Sequence, residues 1–306
     1  METDVASSPP PKPTVNSYSQ TQNLSSSSSP LPPSVLRQWR QHAQRNMRNQ
    51  WSKFASYRQQ WASFTSSGRS HATSLVNAYL NLRYIPSMEL GILHDMPAIQ
   101  AKASQKIFKQ QELHQSKLLT TYKDMVGVVT HMVNAARSMR SFLRGASSSL
   151  IMQFSSSSDD MNDNGDGGGI PVFAFLSISS LERLAEELVQ MFIFELALKR
   201  LIVVALLVIN SEAPQGNELC WSDELYAGEF KDLIICNLYS KETCEPLFPK
   251  LNGSKSSIPA VRCTSQPNDQ TLQSYITTWL AEVNLDAHRV DEIFAMVGEE
   301  MNVGIS

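Results

Sequence analysis

Two stretches of this chain repeat apolar residues in a strict three-and-four rhythm, and that rhythm dictates helices. Leu118, Tyr122, Met125, Val129, Met132, Ala136, Met139 and Leu143 follow one another at intervals of four and three. Leu181, Leu184, Leu188, Met191, Glu195, Leu198, Ile202, Ala205 and Ile209 repeat the pattern. A period of 3.5 residues is the seam of helices packed in coiled-coil fashion. A strand, with its period of two, cannot present such a seam.

The first seam sits in a run, 98–143, whose only interior breaker is Gly127. As one helix it would be roughly 65 Å long at 1.5 Å per residue. Upstream, Ser34 after Pro32-Pro33 reads as an N-cap. Leu36, Trp39, Ala43, Met47, Trp51, Phe54, Tyr57, Trp61 and Phe64 then fall on one arc of about 140° at 100° per residue. Ser66-Ser67-Gly68 reads as the end of that helix, with a second piece around Leu75, Tyr79 and Leu82 before Pro86. The second seam predicts a helix from near Ser180 to a stop at Pro214. Two short helices close the chain, around 272–283 and from a cap at Asp286. The fold class predicted is all-α, built of long antiparallel amphipathic helices.

Charge divides the 306 residues into regions. Residues 34–145 carry 16 Lys and Arg against 4 Asp and Glu, whereas 146–306 carry 9 against 23. No Asp or Glu occurs between Val5 and Met88. Residues 1–33 hold nine Ser and seven Pro and read as a disordered tail, since they cannot bury enough apolar surface to offset ordering. Residues 146–177 read as a flexible acidic linker, with Gly165-Asp166-Gly167-Gly168-Gly169 as flexible chain. The acidic helical region is 178–306, interrupted by an irregular insert at 212–268 in which only Leu233-Ile234-Ile235 looks regular.

Several chemistries find no support in the residues. The four cysteines form no C-x-x-C pair, and five of the six histidines lie in the other half of the chain, so no zinc spacing arises. Asp160, Asn162 and Asn164-Gly165 open like a calcium loop, but its twelfth position is Pro171 instead of Glu. No nucleophile elbow or metalloprotease motif is present. The expectation is a protein without catalytic residues, cofactor or small-molecule substrate. Within 191–209, Glu195, Lys199 and Arg200 interrupt the apolar run, so it reads as a buried helix, not a membrane span. Glu195 and Lys199 stand in the favourable i,i+4 order. The first 33 residues lack the apolar core of a secretory signal and the Arg-rich character of a transit peptide, so the expectation is an intracellular protein.

Two features leave alternatives open. The Trp stripe of 34–66 reads as core, while the basic face beside it suits RNA phosphate or an acidic protein. Ser156 and Ser157 each have an Asp three positions on and read as sites for an acid-directed kinase.

Three segments together carry a resemblance. Asn81-Leu82-Arg83 precedes Pro97 and a long helix with Lys109-Gln110, Asp124-Met125-Val126 and His131; Leu198-Lys199-Arg200, Trp221 and an acidic terminal helix follow much later. This resembles the ribosome maturation factor that associates with Afg-type AAA+ ATPases in animals. The match covers residues 81–143 and 180–221, and the Ser/Pro tail and the insert depart from it. The resemblance implies a helical adaptor that works with an AAA+ ATPase complex and a companion helical subunit on pre-60S particles, in nucleus, nucleolus and cytoplasm. It makes Asn81, Leu82, Arg83, Lys109, Gln110, Leu198, Lys199 and Arg200 candidates for partner binding, the last two as outward neighbours of the seam. The rival readings are an rRNA-binding or other nucleic-acid-binding helical protein, and a coiled-coil tethering or cytoskeletal protein that self-associates through its seams.

Overall fold

The computed structural model describes residues 33–96, 98–144, 153–155, 163–209, 219–251 and 267–304. Ser156, Ser157 and residues 1–32 of the Ser/Pro tail lie outside the described residues, as do Asp160 and Asn162 of the calcium-like motif. The all-α expectation is met. Six α-helices carry the described chain, beside two two-stranded hairpins of two or three residues per strand.

Helix α1 runs Pro33–Tyr84, 52 residues without a break. Pro33 opens its first turn, where a missing N–H costs nothing. Trp39, Ala43, Met47, Trp51, Phe54 and Trp61 are all buried, so the aromatic stripe is core. The expected stop at Ser66-Ser67-Gly68 does not occur. The stripe continues through Thr65, Gly68, Ala72, Leu75 and Tyr79, and Gly68 serves close packing instead of termination. The indole of Trp279 lies where a Cβ on Gly68 would stand, and its Nε1 donates to the Thr65 carbonyl at 3.0 Å. An Ala for Gly exchange within a helix ordinarily stabilises by about 1 kcal/mol. Here the sign reverses. Gly68→Ala is expected to lower stability by about 1–3 kcal/mol through overpacking, read as a fall in the denaturant midpoint at unchanged slope.

Helix α2 spans Ile99–Arg137 and ends six residues short of the expected 143. The seam residues Leu118, Tyr122, Met125, Val129, Met132 and Ala136 are buried on it, and Met139 is buried just beyond. The chain leaves the helix because α1 supplies hydrogen bonds that a continuing helix would not need. The Asn46 amide donates to the Ser138 and Met139 carbonyls at 2.9 and 3.0 Å, and the Trp39 indole donates to the Ser141 carbonyl at 2.9 Å. After α2 the strands β1 (Phe142–Arg144) and β2 (Gln153–Ser155) pair antiparallel.

The expected flexible linker is packed in its described part. Asp163 accepts from the Leu143 and Gly165 backbone N–H groups at 2.6 and 2.8 Å. Gly167, at φ +65°, lays its backbone on the Trp39 ring, and any Cβ there would enter the indole. The glycines that composition marks as loose chain are what let the backbone cap the end of α1 so closely. Helix α3, Ile178–Val208, then starts at an N-cap on Ser177, whose Oγ accepts from the Ser180 N–H at 3.3 Å.

The pairing register defines the architecture. Between α1 and α2, Asn46 meets Ser138, Tyr57 stacks on His131 and His71 faces His114, so the two run antiparallel. Between α2 and α3, Gln115 reaches Leu207 while Arg140 reaches Glu182, again antiparallel. Helices α5 (Asp269–Ala281) and α6 (Ala287–Met301) follow one another along α1: Arg83 pairs with Asp269, Gly68 meets Trp279 and Arg58 pairs with Asp291. They also descend along α3, from Lys199–Trp279 to Glu187–Arg289. The fourth member of the bundle is therefore one helix broken at Glu282, where φ is +44°, and restarted on the Asp286 cap. The result is an up-down-up-down four-helix bundle. Basic and acidic halves share a single hydrophobic core.

The insert is less irregular than its composition suggests. Its described part holds α4 (Glu229–Ile235), which includes the Leu233-Ile234-Ile235 run, and the short hairpin of β3 (Tyr239–Ser240) and β4 (Glu245–Pro246). It lies on α2, with the Arg137 guanidinium donating to the Ile235 carbonyl at 3.2 Å.

Candidate interaction surface

Lys199 and Arg200 are not outward neighbours. They are 0% and 1% exposed. Helix α3 is hemmed by α2, by α5 with α6, and by the insert, so it has no solvent face at this level; each cation meets a carboxylate instead. Lys199 lies 3.0 Å from Glu195, donates to the Trp279 carbonyl and sits 4.7 Å from the centre of the Trp279 ring. Burial pulls its ammonium pKa below the ordinary lysine value, opposed by the Glu195 charge. Arg200 points the other way, into the insert. Its Nε donates to Glu229 Oε1 at 2.8 Å, and its two terminal nitrogens donate to the Trp221 and Asp223 carbonyls, each at 2.8 Å. Glu229 also accepts from the Tyr122 hydroxyl at 2.7 Å and from the Leu225 N–H at 2.7 Å. Burial, then the Glu229 charge, holds the Tyr122 phenol protonated far above its usual range, which suits it to donate.

Adjacent residues on one helix thus clamp two different C-terminal elements. The Glu195–Lys199 pair is visible in the sequence as an i,i+4 spacing. Glu229 and Tyr122 are not, because they come from other elements, 29 and 78 positions from Arg200. Leu198 is half-buried at the margin of the core, so among the candidates on α3 none presents a free surface.

The other candidates do converge. Asn81, Arg83, Lys109 and Gln110 are exposed and Leu82 is half-buried, all at the end of the α1–α2 hairpin where Gln100 reaches the Ile85 carbonyl. Helix α3 stops at Val208, level with Gln115, so residues 99–113 of α2 run on past it. This overhang leaves Phe108 and Leu113 exposed. The connection from α1, through the short 3₁₀ turns Ile85–Ser87 and Gly91–Leu93, adds Met88, Leu93, Met96 and Ile92, the last 97% exposed. Lys102, Lys106 and Lys109, at intervals of four and three, stand exposed along the same overhang and form no ion pair among the described residues. A cluster of large apolar side chains rimmed by lysines on a projecting hairpin has the anatomy of a protein-docking surface. Sequence reasoning missed its apolar members because Ile92, Leu93 and Met96 show no periodicity.

The hairpin seam beneath the overhang is under-satisfied. Gln111 is fully buried with neither side-chain atom hydrogen-bonded, and the Tyr79 hydroxyl and the Nδ1 atoms of His71 and His114 also lack partners. The two imidazoles lie 5.9 Å apart between ring centres, and burial lowers both pKa values, with Lys117 adding to the effect.

Among the described residues no group of three or more His, Cys, Asp and Glu stands where a metal ion would bind, and no helix is long and apolar enough to cross a membrane. Comparisons with protein-family models, with curated proteins and with solved structures find no match to this chain.

Proposed function

We propose that this protein is a non-catalytic helical adaptor that links an AAA+ unfoldase assembly to its client in maturation of the large ribosomal subunit. The observation that carries the reading is the overhang. The residues that support the resemblance and remain accessible, Asn81, Arg83, Lys109 and Gln110, sit beside the exposed apolar cluster of Met88, Ile92, Leu93 and Phe108. An adaptor needs a rigid body that presents a docking patch, and a four-helix bundle with one protruding hairpin supplies both. The seams that a tethering coiled coil would use to self-associate are instead packed against each other within this chain. Sites in nucleus, nucleolus and cytoplasm, and a companion helical subunit, belong to the same proposal.

The test is a pull-down from native cells with wild type and an Ile92→Asp/Phe108→Asp/Leu113→Asp variant. Wild type is expected to retain the AAA+ ATPase and large-subunit precursors. The variant, its helical circular dichroism intact, is expected to lose at least the ATPase. Each aspartate puts a charge into a contact that excludes water, at a cost of several kcal/mol in binding. Failure of wild type to retain either partner would overturn the adaptor reading.

A further inference from the structure

Helix α1 is about 78 Å long and contains seven Arg, one Lys and no carboxylate. Exposed helices ordinarily interleave Glu with Lys or Arg, because each i,i+4 pair adds about 0.2–0.5 kcal/mol. This one forgoes every such pair. The carboxylates that reach α1 from other elements are already taken up. Asp269 and Asp291 pair with Arg83 and Arg58, and Glu282 accepts from the Trp61 indole at 2.8 Å and the Thr65 hydroxyl at 3.0 Å. Arg37, Arg45, Arg48 and Lys53 are exposed and meet no carboxylate among the described residues; Arg48 lies over the Phe173 ring at 5.0 Å.

At 100° per residue Arg37, Arg45 and Arg48 share an arc of about 80°. Gln41, Ser52, Gln59, Ser63, Ser66 and Ser70 fall within it and are exposed as well. Arginine with serine and glutamine is the set that contacts phosphate and sugar. What the face lacks is equally specific. Trp39, Trp51 and Trp61, which in the sequence alternate with the arginines, are all inside the core, so none of the α1 tryptophans is available to stack on an unpaired base. What α1 itself offers is a ladder of contacts to phosphate.

We infer that the solvent face of α1 from Arg37 to Ser70 is a track for the phosphate backbone of duplex nucleic acid, read by charge and not by base. This lies beyond the adaptor reading and uses a different surface. The three arginines of the arc set the affinity's salt dependence. With about 0.9 counterions released per contact, the slope of log K against log salt is about −3, or roughly a 40-fold loss from about 50 to 200 mM.

The test is fluorescence anisotropy of the full chain with labelled duplex RNA, duplex DNA and single-stranded oligouridylate of arbitrary sequence. Both duplexes are expected to bind with that slope, the two arms separating RNA from DNA as the preferred source. Arg37→Glu/Arg45→Glu/Arg48→Glu is expected to flatten the slope by about 3, at unchanged helical content. Lys102→Glu/Lys106→Glu on the overhang is expected to leave duplex binding unchanged. The proposal fails if the triple variant binds the duplex like wild type, or if wild type binds no duplex. Preference for the single strand overturns it too, and so does polyglutamate competing as well as duplex at equal charge, which would mark a face for acidic protein.

Discussion

Arg200→Ala is expected to lower the free energy of unfolding by about 3–5 kcal/mol, among the largest effects of any single substitution in this chain. The side chain removed is 1% exposed and leaves Glu229, itself fully buried, with its charge unopposed. It also leaves the Trp221 and Asp223 carbonyls without their 2.8 Å donors. The damage should be local first. Amide hydrogen exchange in residues 219–251 should accelerate before the four-helix core responds, because Arg200 is what ties the start of the insert to α3. The Tyr122 hydroxyl still donates to Glu229, so Arg200→Ala/Glu229→Gln is expected to recover a good part of the loss, a neutral amide being far less costly to bury than a carboxylate. An Arg200→Ala protein with wild-type stability and exchange would show that the clamp contributes nothing.

Lys199→Met is expected to cost a similar amount, about 3–5 kcal/mol, through the opposite side of the same helix. Glu195 is 0% exposed, and its remaining partner is the Asn284 N–H at 3.1 Å. Met matches the volume of the lost side chain, so the penalty isolates the stranded carboxylate from any cavity. The discriminating partner is Lys199→Met/Glu195→Leu. Replacing a buried ion pair with apolar residues of similar size is often neutral or stabilising, so this double variant is expected near wild type. Chemical denaturation of wild type, Lys199→Met, Glu195→Leu and the double variant forms a cycle, and additive losses would sink the account. Neither variant alters the overhang, so a change in partner capture by either would report on folding.

The contrast between these two cations and the lysines of the overhang separates what one dimension of the chain specifies from what it does not. Period 3.5 was enough to place α2 and α3, because a seam residue must face a neighbouring helix wherever that helix comes from. The burial of Leu118, Met125, Leu181 and Leu188 follows directly. The Trp stripe of α1 was legible for the same reason, and so were the Asp286 cap and the Glu195–Lys199 spacing. Local chemistry of this kind acts over four residues, and four residues are adjacent in the sequence.

Other features depend on partners far along the chain. Gly68 has the composition of a helix stop, yet α1 passes through it because Trp279 arrives to fill the space a Cβ would take. Gly167 reads as loose chain until Trp39 is beneath it. Lys199 and Arg200 carry charges that by themselves argue for solvent. Only the positions of Glu195, Glu229, Tyr122 and the Trp279 carbonyl make an interior site tolerable. The apolar cluster around Ile92 is exposed because α3 ends at Val208, a matter of relative helix lengths that no local pattern encodes. By itself the sequence determined that the fold is helical, which face of the long helices is apolar, and how charge divides between the halves, since these follow from periodicity and residue type. Tertiary structure alone decided which charges are buried, which glycines pack and where the bundle leaves its surface open, because each depends on a residue tens or hundreds of positions away being held within a few ångströms.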